Sequence, residues 1–210
     1  APSVRRAENG PIPYPSPVGG AAVVSPREVF LAAIDTAEFG GFPYMLYGGL
    51  AAALWGEPRY TEDVDIVLFI PERKAFTFLR QAAKHGFSVD EDLAVQQLQV
   101  SGWARLPFGE VKSPWHLDLT LGDTPFDKSA LERRKQVKLF DRPVWVASPE
   151  DLVVYKLVSS PDRDLMDLRA IFKRQKSLDL AYLKKWAAWW EKEGIEGIQK
   201  RLEGLAGAKS

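Results

Sequence analysis

The 210-residue sequence contains no cysteine. That absence excludes disulfide staples, thiolate nucleophiles and cysteine-ligated zinc or iron–sulfur centres. It fits a reducing cytosol, so a cytoplasmic location is expected. Long apolar runs are missing too: the longest, Val64 to Ile70, is interrupted by Asp65 and has the length of a strand, far short of the ~20 residues a membrane helix needs. No membrane partner is therefore expected. The first residues lack a signal-peptide pattern, because Arg5 and Arg6 are followed by Pro11, Pro13, Pro15, Pro17, Gly19 and Gly20 and not by a continuous apolar stretch. Residues 1–25 read as an extended arm. Net charge is also absent, with 28 basic against 28 acidic side chains, which excludes a uniformly basic nucleic-acid binder and a strongly acidic disordered chain. The neutrality is a cancellation: residues 1–125 carry 10 basic and 15 acidic side chains, residues 126–210 carry 18 and 13.

What is present is the composition of a soluble globular chain, 46% hydrophobic and 11% aromatic, long enough to bury a real core. Ser25-Pro26-Arg27-Glu28 offers an N-cap, a first-turn proline and an acidic third position, so a helix is predicted to about Phe39, where Gly40-Gly41 stops it. A short strand at Tyr44 to Tyr47, a tight turn at Gly48-Gly49 and a short helix to Gly56 follow. Asp63 to Ile70 reads as a strand bounded by Pro71, and Glu72 to His85 as a helix placing Phe76, Leu79, Arg80 and Ala83 at helical spacing. Asp90 to Val100 fits either a helix or a loop and strand. Trp103 to Pro107 and Trp115 to Leu121 look like strands, the second with Trp115, Leu117, Leu119 and Leu121 on one face and His116, Asp118 and Thr120 on the other. Lys135 to Phe140 and Arg142 to Val146 form a candidate hairpin around Asp141. About four helices follow. The predicted organisation is an arm (1–25), an α/β domain (26–147) and a C-terminal helical region (148–210).

The chemistry is concentrated around Tyr47-Gly48-Gly49 and Arg59-Tyr60-Thr61-Glu62-Asp63-Val64-Asp65-Ile66. Asp63 and Asp65 stand one residue apart on a strand, so both point to one face and can offer oxygens to a shared cation. Two like charges there are costly unless something neutralises them. An oxygen-rich pair suits Mg²⁺, which completes its shell with water and phosphate oxygens. Glycines at a strand-to-helix turn let phosphate approach the backbone and the helix N-terminus. Asp118, on the polar face of a later strand, is a third carboxylate that strand pairing would bring beside the first two. A lone D-x-D or a lone Gly-Gly is common in chains of this size; the ordered combination is far less so.

With those residues in place, the sequence resembles the nucleotidyltransferase superfamily of DNA polymerase β-like and CCA-adding enzymes. Gly48-Gly49 matches its hG[GS] turn, Asp63-Val64-Asp65-Ile66 its Dh[DE]h pair, and Leu117-Asp118-Leu119 its third acidic strand. Within it the chain is most similar to AbiEii-type and related minimal nucleotidyltransferases, many of them toxins of toxin–antitoxin systems. That group's downstream lysine and Arg-Asp cluster are matched by Lys156-Leu157 and Arg163-Asp164-Leu165-Met166-Asp167-Leu168. Two departures stand out: Gly49 replaces a frequent serine, and Leu50 to Glu62 is a long spacer.

The resemblance implies an α/β (α+β) fold with a mixed sheet flanked by helices and a C-terminal helical tail. It implies transfer of a nucleoside monophosphate from an NTP, ATP among them, to an RNA (tRNA) or protein hydroxyl, with Mg²⁺ or Mn²⁺ as cofactor and an antitoxin protein as a partner. Asp63, Asp65 and Asp118 would be metal-binding and catalytic, and Lys156 catalytic and nucleotide-binding. Gly48, Gly49, Thr61 and Asp164 would bind the nucleotide. The alternative is a catalytically inactive nucleotide- or protein-binding module on the same fold.

Other features carry bland readings beside the functional ones. Asp164 and Asp167 share a helix face and also fit ordinary first-turn charge balance, two readings of about equal weight. Arg59 either contacts substrate or pairs with Glu62. His85 reads as structural, and His116 has no assigned role. Trp186, Trp189 and Trp190 at helical spacing could stack bases, but such a stripe is more often core, and that reading is preferred. Arg133-Arg134-Lys135 with Lys138, and Lys173-Arg174 with Lys176, are candidate acceptor patches unless they are solvated faces.

Overall fold

A computed structural model describes residues 24–159 and 164–207. The chain runs α1 (Pro26–Phe39), β1 (Tyr44–Leu46), α2 (Gly48–Trp55), β2 (Asp63–Leu68), a 3-10 turn (Glu72–Lys74) and α3 (Ala75–Lys84). It continues through α4 (Glu91–Ser101), β3 (Trp103–Pro107), β4 (His116–Leu121), α5 (Pro125–Arg133), β5 (Lys135–Leu139) and β6 (Arg142–Val146). It ends in α6 (Pro149–Ser159), α7 (Leu165–Arg174), α8 (Leu180–Lys192) and α9 (Ile198–Gly207). Among the described residues six strands form one mixed sheet in the order β3-β4-β2-β1-β6-β5. β2 and β4 pair in parallel in its interior, and β3 pairs antiparallel with β4 at one edge.

Period-two alternation decides what each face of this sheet carries. Val64, Ile66, Leu117 and Leu119 turn to one side and are buried with Ala104 and Leu106 of β3, beneath α1, α3 and α4. Asp63, Asp65, Asp118 and Arg105 occupy alternate positions in the same strands and face the opposite side, toward α2 and the C-terminal helices. The expected capping box of α1 is present: the Glu28 amide donates to Ser25 Oγ and the Ser25 amide to Glu28.

Several elements resolve or correct the sequence expectation. The segment starting at Asp90 is a helix, capped by Asp90 and closed by Gly102 in the left-handed conformation. In α3 the buried stripe is Ala75, Phe78, Leu79 and Ala82, leaving Phe76 and Arg80 exposed, because Phe78, not Phe76, is the aromatic side chain that the helix turns into the core, against Phe42. The helix α5 was not anticipated, although Thr124-Pro125-Phe126-Asp127 repeats the capping-box signature of α1. The β5–β6 hairpin turns on Phe140 and Asp141, both with positive φ, and the Phe140 ring lies 4.9 Å from that of Phe30 on α1.

The tryptophans of α8 belong to the core. Trp186 is buried, and Phe126 of α5 makes edge contacts with Trp186 at 5.2 Å, Trp190 at 6.2 Å and Tyr155 of α6 at 4.8 Å. Edge-to-face geometry of this kind adds to simple burial. Among the described residues no helix is long and apolar enough to cross a membrane. Because Phe126 joins three helices in one aromatic cluster, Phe126→Ala is expected to lower unfolding stability by roughly 3–5 kcal/mol, as read from urea denaturation.

Candidate functional site

The polar face of β2 and β4 forms the floor of a cleft of about 750 Å³. Its lining includes Gly48, Gly49, Thr61, Asp63, Asp65, Arg105, Asp118, Lys156, Asp164 and Asp167, so the candidate residues named from the sequence lie around one cavity. Arg163 lies outside the described residues.

Strand register builds the centre. Asp65 is directly opposite Asp118 across the parallel β2–β4 pair, and Asp63 is opposite His116. His116 Nδ1 lies 3.3 Å from Asp63 Oδ1, which gives a place to a residue that had none. Burial pushes the Asp65 carboxyl up to about 7, the Asp118 charge adds to the rise, and the Gly49 amide, donating to Asp65 Oδ2 at 3.0 Å, opposes it. The glycine pair therefore serves the aspartate. Gly48 has φ +58°, and a Cβ on it would fall 2.0 Å from Asp65 Oδ2. A Cβ on Gly49 would fall 2.7 Å from Thr61 Oγ1, so Thr61 fills the space that a serine at position 49 would enter.

Asp118 is held from the other side. Arg105, its cross-strand neighbour on β3, donates Nε to Oδ1 at 2.7 Å and Nη2 to Oδ2 at 2.6 Å, and the same Nη2 is 3.9 Å from Asp63. Arg105 carried no role in the sequence reading. A charge alternating with buried Ala104 and Leu106 was the available signal, but its partner depends on a register set across the loop from Phe108 to Trp115.

The upper wall is an ion network. Lys156 is only 4% exposed and lies 2.8 Å from both Asp164 Oδ1 and Asp167 Oδ2. Arg59 forks onto Asp167 at 2.8 and 2.9 Å instead of pairing with Glu62. Burial works to raise the Asp167 carboxyl, but the bonds from Arg59 and Lys156 prevail and hold it below the ordinary carboxylate range. Behind the floor, Tyr47 and Thr120 share a hydroxyl hydrogen bond of 2.8 Å, and burial raises the Tyr47 phenol so that it stays protonated.

The basic runs are largely spent within the protein. Arg133 pairs with Glu150 and lies over the Tyr182 ring, Arg134 lies over Trp145, Lys138 pairs with Asp141 and Lys173 with Glu57.

Hard carboxylate oxygens are the donors a Mg²⁺ or Mn²⁺ ion takes, and Asp63, Asp65 and Asp118 supply them on one face. Among the described residues no three His, Cys, Asp or Glu side chains are grouped closely enough to hold an ion as they stand. Both oxygens of Asp118 are engaged by Arg105. The donor types suit a divalent cation, and the Arg105 fork sets the present orientation of the third of them.

A mixed sheet with paired aspartates on one strand, a third on its parallel neighbour, a Gly-Gly helix start and C-terminal helices closing the cleft is the architecture of a nucleotidyltransferase. Residues 29–203 match the family described as nucleotidyl transferase AbiEii toxin, Type IV toxin–antitoxin system, and the chain belongs to that family. No curated protein matches its sequence. Similar solved structures include the lincosamide antibiotic adenylyltransferase LnuA, bound to lincomycin, at 16% identity and TM-score 0.46 over 70% of this chain and 98% of that one. The antibiotic-resistance factor ANT(2'')-Ia is similar at 12% identity and TM-score 0.49, over 86% of this chain and 92% of that one. A CCA-adding enzyme in complex with ATP is similar at 17% identity and TM-score 0.40, over 87% of this chain and 47% of that one.

Gly48→Ala is expected to lower the melting temperature through two separate costs, roughly 1–2 kcal/mol for the left-handed backbone and a further one for displacing the Asp65 carboxylate. Lys156→Met should cost roughly 1–3 kcal/mol at pH 7, since it takes the ammonium from part-buried Asp164 and leaves Asp167 to Arg59 alone. In the wild type the depressed Asp167 contributes stability that is present at neutral pH and lost as pH falls below the ordinary carboxylate range. The variant loses part of what holds that carboxyl low, so urea titrations at pH 7 and pH 3 should show the difference between the two proteins shrinking with acid.

Proposed function

We propose that the protein transfers a nucleoside monophosphate from an NTP to an RNA or protein hydroxyl, in a divalent-metal-dependent reaction, as a cytoplasmic toxin restrained by an antitoxin. The observation that carries this reading is the register that sets Asp65 opposite Asp118, with Asp63 on the same face at the floor of an open cleft. Family membership supports the transferase class, and the lack of cysteine agrees with a reducing compartment.

Charge on the cleft walls supports metal dependence independently. The described lining carries six carboxylates, those of Glu57, Asp63, Asp65, Asp118, Asp164 and Asp167, against the three cations Arg59, Arg105 and Lys156. A triphosphate entering alone would be repelled, so it enters as a cation complex. Bound Mg²⁺ or Mn²⁺ supplies stabilisation of the attacking and leaving oxygens of an in-line displacement at phosphorus.

The chain's own residues do the rest. Asp63 and Asp65 hold the cation, and Asp118 adds a third ligand and accepts the proton of the acceptor hydroxyl as it attacks. Thr61 and the Gly48 amide face the phosphates at the α2 N-terminus, where backbone N–H groups favour anions. Gly49 contributes by holding Asp65. Lys156 faces the phosphates from the opposite wall, and Asp164 fixes its ammonium in place. In-line attack leaves pyrophosphate as the second product.

The engagement of Asp118 by Arg105 favours one competing reading, a module that binds nucleotide or a protein without turnover. Incubation with Mg²⁺, each labelled NTP and total RNA or cell extract separates the two. Wild type should label an acceptor, and Asp63→Asn should cut the rate by roughly hundredfold or more, since cation stabilisation amounts to several kcal/mol. Nucleotide uptake without any label transfer would favour the inactive module.

A further inference from the structure

Arg105 reaches the carboxylate cluster from the edge strand β3, where antiparallel register sets it opposite Asp118. Its two bonds to Asp118 occupy both carboxylate oxygens, and it stands 3.9 Å from Asp63. The planar fork of a guanidinium matches a carboxylate in a way that a lysine ammonium does not. The partners differ in freedom. The Asp118 side chain is 9% exposed and anchored on an interior strand, whereas that of Arg105 is 42% exposed at the sheet edge. The Trp103 ring, 5.7 Å from the Arg105 guanidinium carbon, offers it another surface to lie against.

Three carboxylates share this floor, and one guanidinium brings a single positive charge to them. A divalent cation brings two and accepts oxygens from both strands. The guanidinium takes a lone pair of each Asp118 oxygen and sets its own positive charge on the face shared with Asp63, where a divalent ion would have to sit, so the two cations compete for Asp118.

We propose that Arg105 is a positioning residue that stands in for the metal on Asp118: it keeps that carboxylate in the cation-free protein, and a divalent ion binds by taking Asp118 from it. The proposal rests on the reading of Asp63, Asp65 and Asp118 as cation ligands. It makes the affinity for free metal weaker than the three carboxylates alone would allow. Binding is then favoured when the ion arrives with the triphosphate, whose oxygens complete the shell.

The test is Mn²⁺ binding to the full chain, read from the paramagnetic resonance signal of free Mn²⁺, in wild type, Arg105→Gln, Asp118→Asn and the double variant. Arg105→Gln is expected to bind Mn²⁺ about tenfold more tightly, equivalent to ~1.4 kcal/mol, and the gain should vanish in the Asp118→Asn background. A charge acting only through space on Asp63 and Asp65 would give the same gain in both backgrounds, which would overturn the proposal. So would an unchanged or weaker affinity in Arg105→Gln. Should that variant fail to fold, the Arg105 Nε–H resonance of the wild type serves instead. It should move as Mg²⁺ is added, and a resonance that stays in place at saturating Mg²⁺ refutes the exchange. Mn²⁺ binding that is insensitive to Arg105 defeats this inference alone, while absence of Mn²⁺ binding in every protein defeats the ligand reading as well.

Discussion

Asp65 and Asp118 face one another across two parallel strands, and the repulsion between them has to be balanced by every group that surrounds them. The Gly49 amide bonds to one, the Arg105 guanidinium forks onto the other, and His116 contacts Asp63 beside them. Even so, Asp65 stays far above the usual carboxylate range. A protein gains no stability from holding like charges in a part-buried cleft. On the proposed reading, their presence prepares the site for a cation that supplies the missing charge.

The same constraint explains how the two ends of the chain cooperate. The carboxylates come from central strands, whose opposite faces are locked into the core by Val64, Ile66, Leu117 and Leu119. The ion-paired wall comes from α6, which supplies Lys156, and the start of α7, which supplies Asp164 and Asp167, and it is tied to the strand side by the Arg59–Asp167 pair. Lys156 is neutralised twice over by Asp164 and Asp167, so the wall is ion-paired within itself, while the floor keeps three carboxylates against the single guanidinium of Arg105. The near-zero net charge of the chain is a sum over such compartments.

Much of this was readable in the sequence, for local reasons. Period-two alternation put Asp63, Asp65 and Asp118 on polar faces, and residue type alone marked Gly48 and Gly49 as a turn. The reading placed them in one site because a third acidic strand had to pair nearby. What escaped was set by register between distant segments. Arg105 finds Asp118 across a loop with no tight-turn signal, and Arg59 meets Asp167 more than a hundred residues on. Helix α5 escaped for a different reason: only Phe126, Asp127 and Ala130 are buried, too few to print a helical stripe, even though its capping box was legible. In α3 the pattern named a helix but mistook its phase, since Phe76 faces out and Ala75 faces in.

The β5–β6 turn shows how a short-range element can depend on long-range packing. Phe140 and Asp141 both adopt a left-handed backbone that costs side-chain-bearing residues about 1–3 kcal/mol each, and neither is the glycine such a turn prefers. The compensation is non-local: the Phe140 ring rests on Phe30, more than a hundred residues earlier in the chain. A hairpin that is contiguous in sequence is thereby made conditional on α1. The cost of the turn is met from outside the hairpin, by a ring contact with a helix from the other end of the domain.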